Sequence, residues 1–143
     1  MADIICHLDE IMVSTGVGPD IVDVTARLEA VVDLSGVRQG TLHATSLGST
    51  GSLTTIEYEP GVVQDLKRAI TELAPPERNY AHEEAWHDGN GHSHVQAALL
   101  GPSVVVPIRQ GRLMLGTWQQ VIVINHDNCT RERKVGVTII GHA

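Results

Sequence analysis

Three apolar runs in the second half of the chain restrict its fold more than any other feature. They are SVVVPI (Ser103–Ile108), RLMLGTWQQVIVIN (Arg112–Asn125) and KVGVTIIG (Lys134–Gly141). Val and Ile are stiff at χ1 and pack well on a pleated surface, so each run reads as a strand. Only Arg109, Gln110 and Gly111 separate the first two runs. A connection that short makes a hairpin, and a hairpin makes the pair antiparallel. Three earlier segments have the same character. Asp3–Val13 reads as a strand with Cys6, Leu8 and Met12 on one side. Gln39–Leu47 and Ser52–Glu59 read as two more, separated by a GSTG turn. With no Phe, two Trp and two Tyr, the core is expected to consist of Val, Ile, Leu and Ala.

Helical periodicity interrupts the strands in three places. Asp20–Gly36 carries Ile21, Val24, Leu28, Val31 and Val32 at three- and four-residue steps, with Gly36 as a stop. Pro60–Pro76 has a proline in its first turn and an expected apolar stripe of Val62, Leu66, Ala69 and Leu73. A shorter helix is predicted from a Ser93-His94-Val95-Gln96 capping box, ending at Gly101-Pro102. The sum is a single α+β domain over residues 1–143, mainly antiparallel, with two helices and a short third.

Charge and cysteine content narrow the function classes. A formal net charge of -7 argues against nonspecific binding to nucleic acid or to an anionic membrane. Cys6 and Cys129 have no CxxC partners and are expected to be ordinary reduced thiols. No apolar run has the length of a membrane span and the N-terminus lacks a signal-peptide pattern, so the cytoplasm is the expected compartment.

The stretch HEEAWHDGNGHSHVQAALLG (His82–Gly101) concentrates the chemistry, with four of the eight histidines and the carboxylates Glu83, Glu84 and Asp88. Imidazole and carboxylate groups are the usual zinc ligands, although no HExxH signature is present. A start at Ser93 places His92 in the loop and His94 in the first turn. A helix start also favours a phosphate or carboxylate beside it. The DGNG loop, with Asn90 inside it and Ser93 just after, can bring backbone close to a ligand. From these residues alone, a ligand site and a solvated polar loop are both open readings.

Several segments together resemble the YjbQ-like family: SLTTIEYEPGVVQDL (Ser52–Leu66), NYAHEE (Asn79–Glu84), HVQAALLGPSVVVPIRQGRLMLGTWQQV (His94–Val121) and RERKVGVTIIG (Arg131–Gly141). The resemblance implies a β-sandwich-like α+β fold, assembly as a homotrimer, and polar pockets near subunit contacts. It also implies a link to a secondary thiamine-phosphate synthase activity, which joins hydroxymethylpyrimidine diphosphate to thiazole phosphate and releases diphosphate. By the same resemblance His82, His94, Glu57 and Asp65 are the catalytic candidates. Tyr80, Gln119, Arg131 and Arg133, together with Ser93 and Asn90, are candidates for binding a small phosphorylated molecule. Guanidinium groups suit phosphate oxygens.

The sequence departs from the family pattern at Gly48-Ser49-Thr50, where many relatives have His-Thr-Ser, and at Ile56, where many have Asn. His92 is an added imidazole, so His82, His92 and His94 form a candidate metal trio. A divalent metal is the expected cofactor, with Zn²⁺ suiting imidazoles and Mg²⁺ suiting oxygen ligands. The alternatives to a transferase are a metal-dependent hydrolase and a non-catalytic trimeric binding protein.

Overall fold

The structure, a computed structural model, describes residues 3–143. Two antiparallel sheets pack face to face. The larger contains β1 (Ile5–Thr15), β3 (Gln39–Ser46), β5 (Ser103–Arg109), β6 (Arg112–Leu113) and β8 (Arg131–His142), in the order β1-β8-β3-β5-β6. The smaller is β2 (Asp20–Asp23), β7 (Gln119–Asn125) and β4 (Gly51–Glu57), in the order β2-β7-β4. Helices α1 (Thr25–Ser35), α2 (Pro60–Leu73), α3 (His82–Trp86) and α4 (Gly91–Leu100) complete the α+β fold. No helix among the described residues is long and apolar enough to cross a membrane.

Strand β7 organises the layers. Its side chains alternate between two cores, as strand geometry requires. Val121 and Val123 enter the core between the sheets, with Leu28, Leu42, Val106 and Ile139. Ile122 and Ile124 enter a second core under α2, with Val63 and Ile70. A strand buried on both faces reads as a continuous apolar run, which is why VIVI shows no alternation in the sequence.

Four sequence expectations change. Asp20–Asp23 is not helical: it is β2, with Ile21 opposite Ile124. The helix begins after it, where Asp23 Oδ1 accepts from the Thr25 N–H at 2.9 Å. The run Arg112–Asn125 is not one strand. It breaks at Gly116, whose carbonyl accepts from Gln119 N at 3.0 Å, and the chain crosses from the larger sheet to the smaller. The buried stripe of α2 is Val63, Leu66 and Ile70, while Ala69 and Leu73 face out. Helix α2 is capped by Glu59, which accepts from Gly61 N and Val62 N at 2.8 Å each. Those two bonds hold its carboxyl below the usual range, outweighing a small opposing effect of burial.

The fourth change concerns the histidines. Helix α4 starts at Gly91, not Ser93, with Asn90 at its N-cap, and there is no capping box. Ser93 Oγ donates back to Asn90 Oδ1 at 2.5 Å, and Gln96 turns into the core. His92 and His94 therefore both lie on the helix. Two residues apart, they project in opposite directions.

Candidate functional site

The strand alternation of β7 continues past its end through Asn125, His126 and Asp127, all within 2% of full burial. It aims Asn125 and Asp127 toward β8 and His126 under α4. Each group then has to find polar partners, because burial without them costs free energy.

Asp127 accepts from Thr50 Oγ1 at 2.9 Å, from Arg131 Nε at 3.1 Å and from Cys129 N at 3.1 Å. Burial pushes its carboxyl up. Hydrogen bonds from Asn90, Thr50, Arg131 and Cys129 outweigh that and hold it below the usual range. Arg133, only 5% exposed, donates through Nη2 to Thr50 Oγ1 at 2.6 Å and to Asn125 Oδ1 at 2.5 Å. Thr50 thus bridges Arg133 to Asp127. Burial pulls the Arg133 guanidinium down from its ordinary value, Arg131 adds to that, and Asp127 opposes it. Its Nε is buried without a hydrogen-bond partner.

On the other side, His126 Nε2 lies 2.8 Å from Ser52 Oγ, and His126 Nδ1 lies 3.0 Å from Gln96 Oε1. Gln96 Nε2 donates to the Ala74 carbonyl at 3.0 Å, which fixes the amide orientation and leaves Oε1 as acceptor. His126 must then carry its proton on Nδ1 and accept the Ser52 hydroxyl proton at Nε2. The order serine, histidine, amide resembles a nucleophile relay. Ser52 is fully buried, so the chain is a structural tie between β4, β7, α4 and the end of α2. Burial first, then Arg133 and His92, push the His126 pKa down to about 4.

Helices α3 and α4 form a tight corner tied by Glu83. Its carboxylate accepts from Gly89 N at 2.6 Å and from Gly91 N at 2.9 Å. These bonds, the Gly89 one foremost, hold its carboxyl below the usual range. The seat at the α4 N-terminus that the sequence offered to a phosphate is therefore filled by the protein's own carboxylate. Tyr80 packs so closely that a Cβ on Gly91 would lie 2.5 Å from Tyr80 Cβ. The Tyr80 hydroxyl donates to the Pro75 carbonyl at 2.8 Å and so fixes the segment entering α3.

This corner sets His82 against His94, with ring centroids 4.6 Å apart. His82 Nδ1 sits 3.5 Å from Glu83 Oε1 and 3.4 Å from Asp88 Oδ1. His82, Glu83 and Asp88 bring three ligand atoms within 4.8 Å of one another. His92 does not join them. It turns inward, 8% exposed, with its ring 6.4 Å from Tyr80 and its Nδ1 unpartnered. Burial lowers its pKa against the opposing carboxylates Glu83, Asp127 and Glu77. The group at metal-ligand spacing is His82, Glu83 and Asp88, and His92 is not part of it.

A cavity of about 270 Å³ lies between α4 and the β3–β4 turn, lined by Gly48, Ser49, Gly51, His94, Ala97 and Pro102. His82, Arg133, Ser93, Asn90, Tyr80 and Arg131 belong to this end of the molecule. Glu57 and Gln119 do not. They pair across β4 and β7 at the far end of β4 from Gly51, roughly 20 Å away at 3.3 Å per residue. Gln119 there donates to Thr55 Oγ1 and accepts from Gly116 N. Asp65 lies on the exposed side of α2, where it pairs with Arg68 at 3.1 Å. Thr50, Gln96, Asn125, His126 and Asp127 escaped the sequence reading. Their one visible signal was the polar triplet Asn125-His126-Asp127 closing an apolar run.

Fold and cluster together define a small two-sheet α+β protein with a cavity lined by His94 and a buried polar cluster around Arg133 and Asp127. The family model described as UPF0047 protein YjbQ-like matches residues 9–142, and the chain belongs to that family. It is 30% identical over 135 residues to a UPF0047 protein of Methanothermobacter thermautotrophicus, covering 94% of this chain and 92% of the relative. It is 36% identical over 109 residues to the UPF0047 protein YjbQ of Salmonella typhimurium, covering 76% and 78%. Among solved structures, a YbjQ-like protein of unknown function from Sulfolobus solfataricus superposes with a TM-score of 0.93 at 33% identity, covering 98% of this chain and all of the other.

Proposed function

We propose that this protein is a transferase acting on a small phosphorylated molecule, of the kind that joins a pyrimidine diphosphate to a thiazole phosphate. The observation that carries this reading is the His82–His94 pair, held 4.6 Å apart with His94 on the wall of the cavity. In that reaction the C–O bond to diphosphate breaks and its electron pair leaves with the diphosphate. The thiazole nitrogen then supplies the pair for the new C–N bond. The protein's task is to stabilise charge on the departing oxygens, which positioned donors do well in a water-poor site. His94 faces the cavity and can hydrogen-bond or give a proton to a leaving oxygen. His82, behind it, orients that ring and is itself steadied by Glu83 and Asp88.

The same reading includes assembly as a homotrimer, which would cover the exposed Leu8, Val105, Trp118 and Ile140. Incubating the purified protein with both substrates is expected to release diphosphate. His94→Ala is expected to lower kcat by about 10²–10⁴, the usual range for a proton-transfer group. No diphosphate above a buffer blank rejects the transferase.

One observation favours a second reading, a metal-dependent hydrolase. His82 Nδ1 is buried without a hydrogen-bond partner beside two carboxylates at metal-ligand spacing. One imidazole and two carboxylates suit Zn²⁺ or Mn²⁺ better than Mg²⁺, which prefers oxygen alone. Such a metal would supply an activated water. Elemental analysis of untagged protein dialysed against ZnCl₂ is expected to find bound zinc that His82→Ala abolishes. Less than about one metal per three chains removes this reading.

A further inference from the structure

We propose that the groove between α1 and the β5–β6 hairpin is a binding site for a free basic α-amino acid. This site is separate from the one that would serve a transferase. The groove shares no lining residue with the cavity beside His94.

Helix α1 supplies one wall. Ala26, Glu29, Ala30 and Asp33 recur at three- and four-residue steps, so they share one helix face. The two alanines leave a trough, and the two carboxylates stand along it. The opposite wall is β6, joined to β5 by a turn at Gln110-Gly111. Gly111 has φ +76°, and its N–H donates to the Arg38 carbonyl at 3.0 Å. That bond holds the turn against the segment leaving α1, and Arg38 and Arg112 line one cavity as a result. The Leu113 N–H donates to the Glu29 carboxylate oxygens at 3.3 and 3.4 Å, which ties the two walls together.

Two cavities adjoin in this groove, of about 630 and 440 Å³. Both fall in the size range of sites for small organic ligands. Asp33 and Arg112 line both, so the two meet at one carboxylate and one guanidinium. Among the described residues, the arginines paired with carboxylates are Arg68 and Arg131. Arg38 and Arg112 are not among them, although Glu29 and Asp33 line the same groove. Opposite charges thus share one groove without joining each other. Glu29 is half-buried and receives only the long bonds from a neutral amide. A carboxylate drawn partly out of water without a cation is costly, and a ligand cation beside it relieves that cost.

A molecule with an ammonium and a carboxylate on one carbon matches the junction. The Arg112 and Arg38 guanidinium groups take the carboxylate, and Asp33 takes the ammonium. A dicarboxylate would meet Asp33 with the wrong sign, and a diamine would meet the arginines with it. The ligand's side chain then runs back along α1, past Ala30, to Glu29. Glu29 and Asp33 are one turn apart, about 6 Å at 1.5 Å per residue, which the four-carbon stem of a lysine spans. A cation at the tip of that stem pairs with Glu29. Leu113 and Leu115 line the same cavity and suit the methylenes between the two charged ends.

The test is calorimetric titration of the full chain with L-lysine, its α-N-acetyl derivative, its methyl ester and norleucine. Lysine is expected to bind. The other three lack the ammonium, the carboxylate and the distal cation in turn, and each is expected to bind at least tenfold more weakly. Asp33→Asn and Arg112→Gln change exposed positions, so both are expected to fold normally and to weaken lysine binding at least tenfold. Glu29→Gln keeps an acceptor for the Leu113 N–H and is expected to erase the preference for lysine over norleucine. His94→Ala is expected to bind lysine as wild type does. Absence of lysine binding at millimolar concentration overturns the site. Equal binding of the acetyl or ester form, or unchanged lysine binding in either Asp33→Asn or Arg112→Gln, also overturns it. A preference for lysine that survives Glu29→Gln overturns a site built for basic amino acids. Lysine binding lost in His94→Ala would move the amino acid to the histidine pair and overturn the groove. Lysine binding by a protein that releases no diphosphate leaves the groove and removes the transferase. Turnover without lysine binding does the reverse.

Discussion

Asp127→Ala is expected to destabilise the protein by about 3–5 kcal/mol, the usual consequence of leaving a buried charge without its counterpart. Asp127 is 2% exposed and is the carboxylate tied to the Arg133 cluster through Thr50. Removing it strands Arg133 in the core, frees the Thr50 hydroxyl, and leaves Cys129 N without its acceptor. The contact with Arg131 adds little to this, since half of that side chain is in water. Asp127→Asn retains an acceptor for Thr50 or Cys129 and is expected to lose less. Urea unfolding of the three proteins, with unchanged m-values, measures the difference. An alanine variant within about 1 kcal/mol of wild type would show that the buried arginine does not depend on this carboxylate.

The second large effect is on acid stability. The folded state holds His126 neutral with a pKa of about 4, against 6.5 in an unconstrained chain. Between those values the unfolded chain binds the proton and the native one does not. Stability from this group is therefore fully present above about pH 6.5 and falls as pH drops toward 4, by about 3 kcal/mol in total. The reason is geometric. Protonation would put a second N–H on Nε2, facing the fully buried Ser52 Oγ. His92, whose pKa burial also lowers, adds a slope of the same sign. Unfolding free energy measured from pH 7.5 to 4.5 is expected to decline more steeply for wild type than for His126→Gln, whatever the variant's absolute stability. Parallel curves would mean that His126 is not the group responsible.

These two residues also show where sequence reading reaches its limit. His126 and Asp127 belong to a polar triplet, Asn125-His126-Asp127, that closes an apolar run, and nothing local distinguishes them from a polar turn. What makes them matter is that β7 lies between two cores, so its alternation continues into buried space on both sides. The corner between α3 and α4 teaches the same lesson. A serine followed by Gln96 three residues later predicts a capping box. In the folded chain Glu83, eight residues before Gly91, reaches forward to accept from the Gly91 N–H, and the helix starts at Gly91, two residues earlier than expected. That shift turns His92 from a loop residue into an inward-facing one, because helical geometry separates it from His94 by about 200°.

The catalytic candidates divide in the same way. His82 and His94 lie close in sequence, on helices joined by a short loop, and they meet. Glu57 is placed at the far end of β4 from Gly51, and Asp65 on the exposed surface of α2 beside Arg68.

The sequence by itself determined the β-rich composition of the core, the hairpin at Arg109–Gly111, the long helix after Glu59 and the family to which the chain belongs. These follow from short-range periodicity, turn chemistry and long runs of matching residues. Only the tertiary structure decided that Asp20–Asp23 is a strand, because its hydrogen-bond partners lie a hundred residues away on β7. Only the tertiary structure put Arg133 behind Gly48 and Gly51, because a contact between β8 and the β3–β4 turn depends on how two sheets close over a shared core.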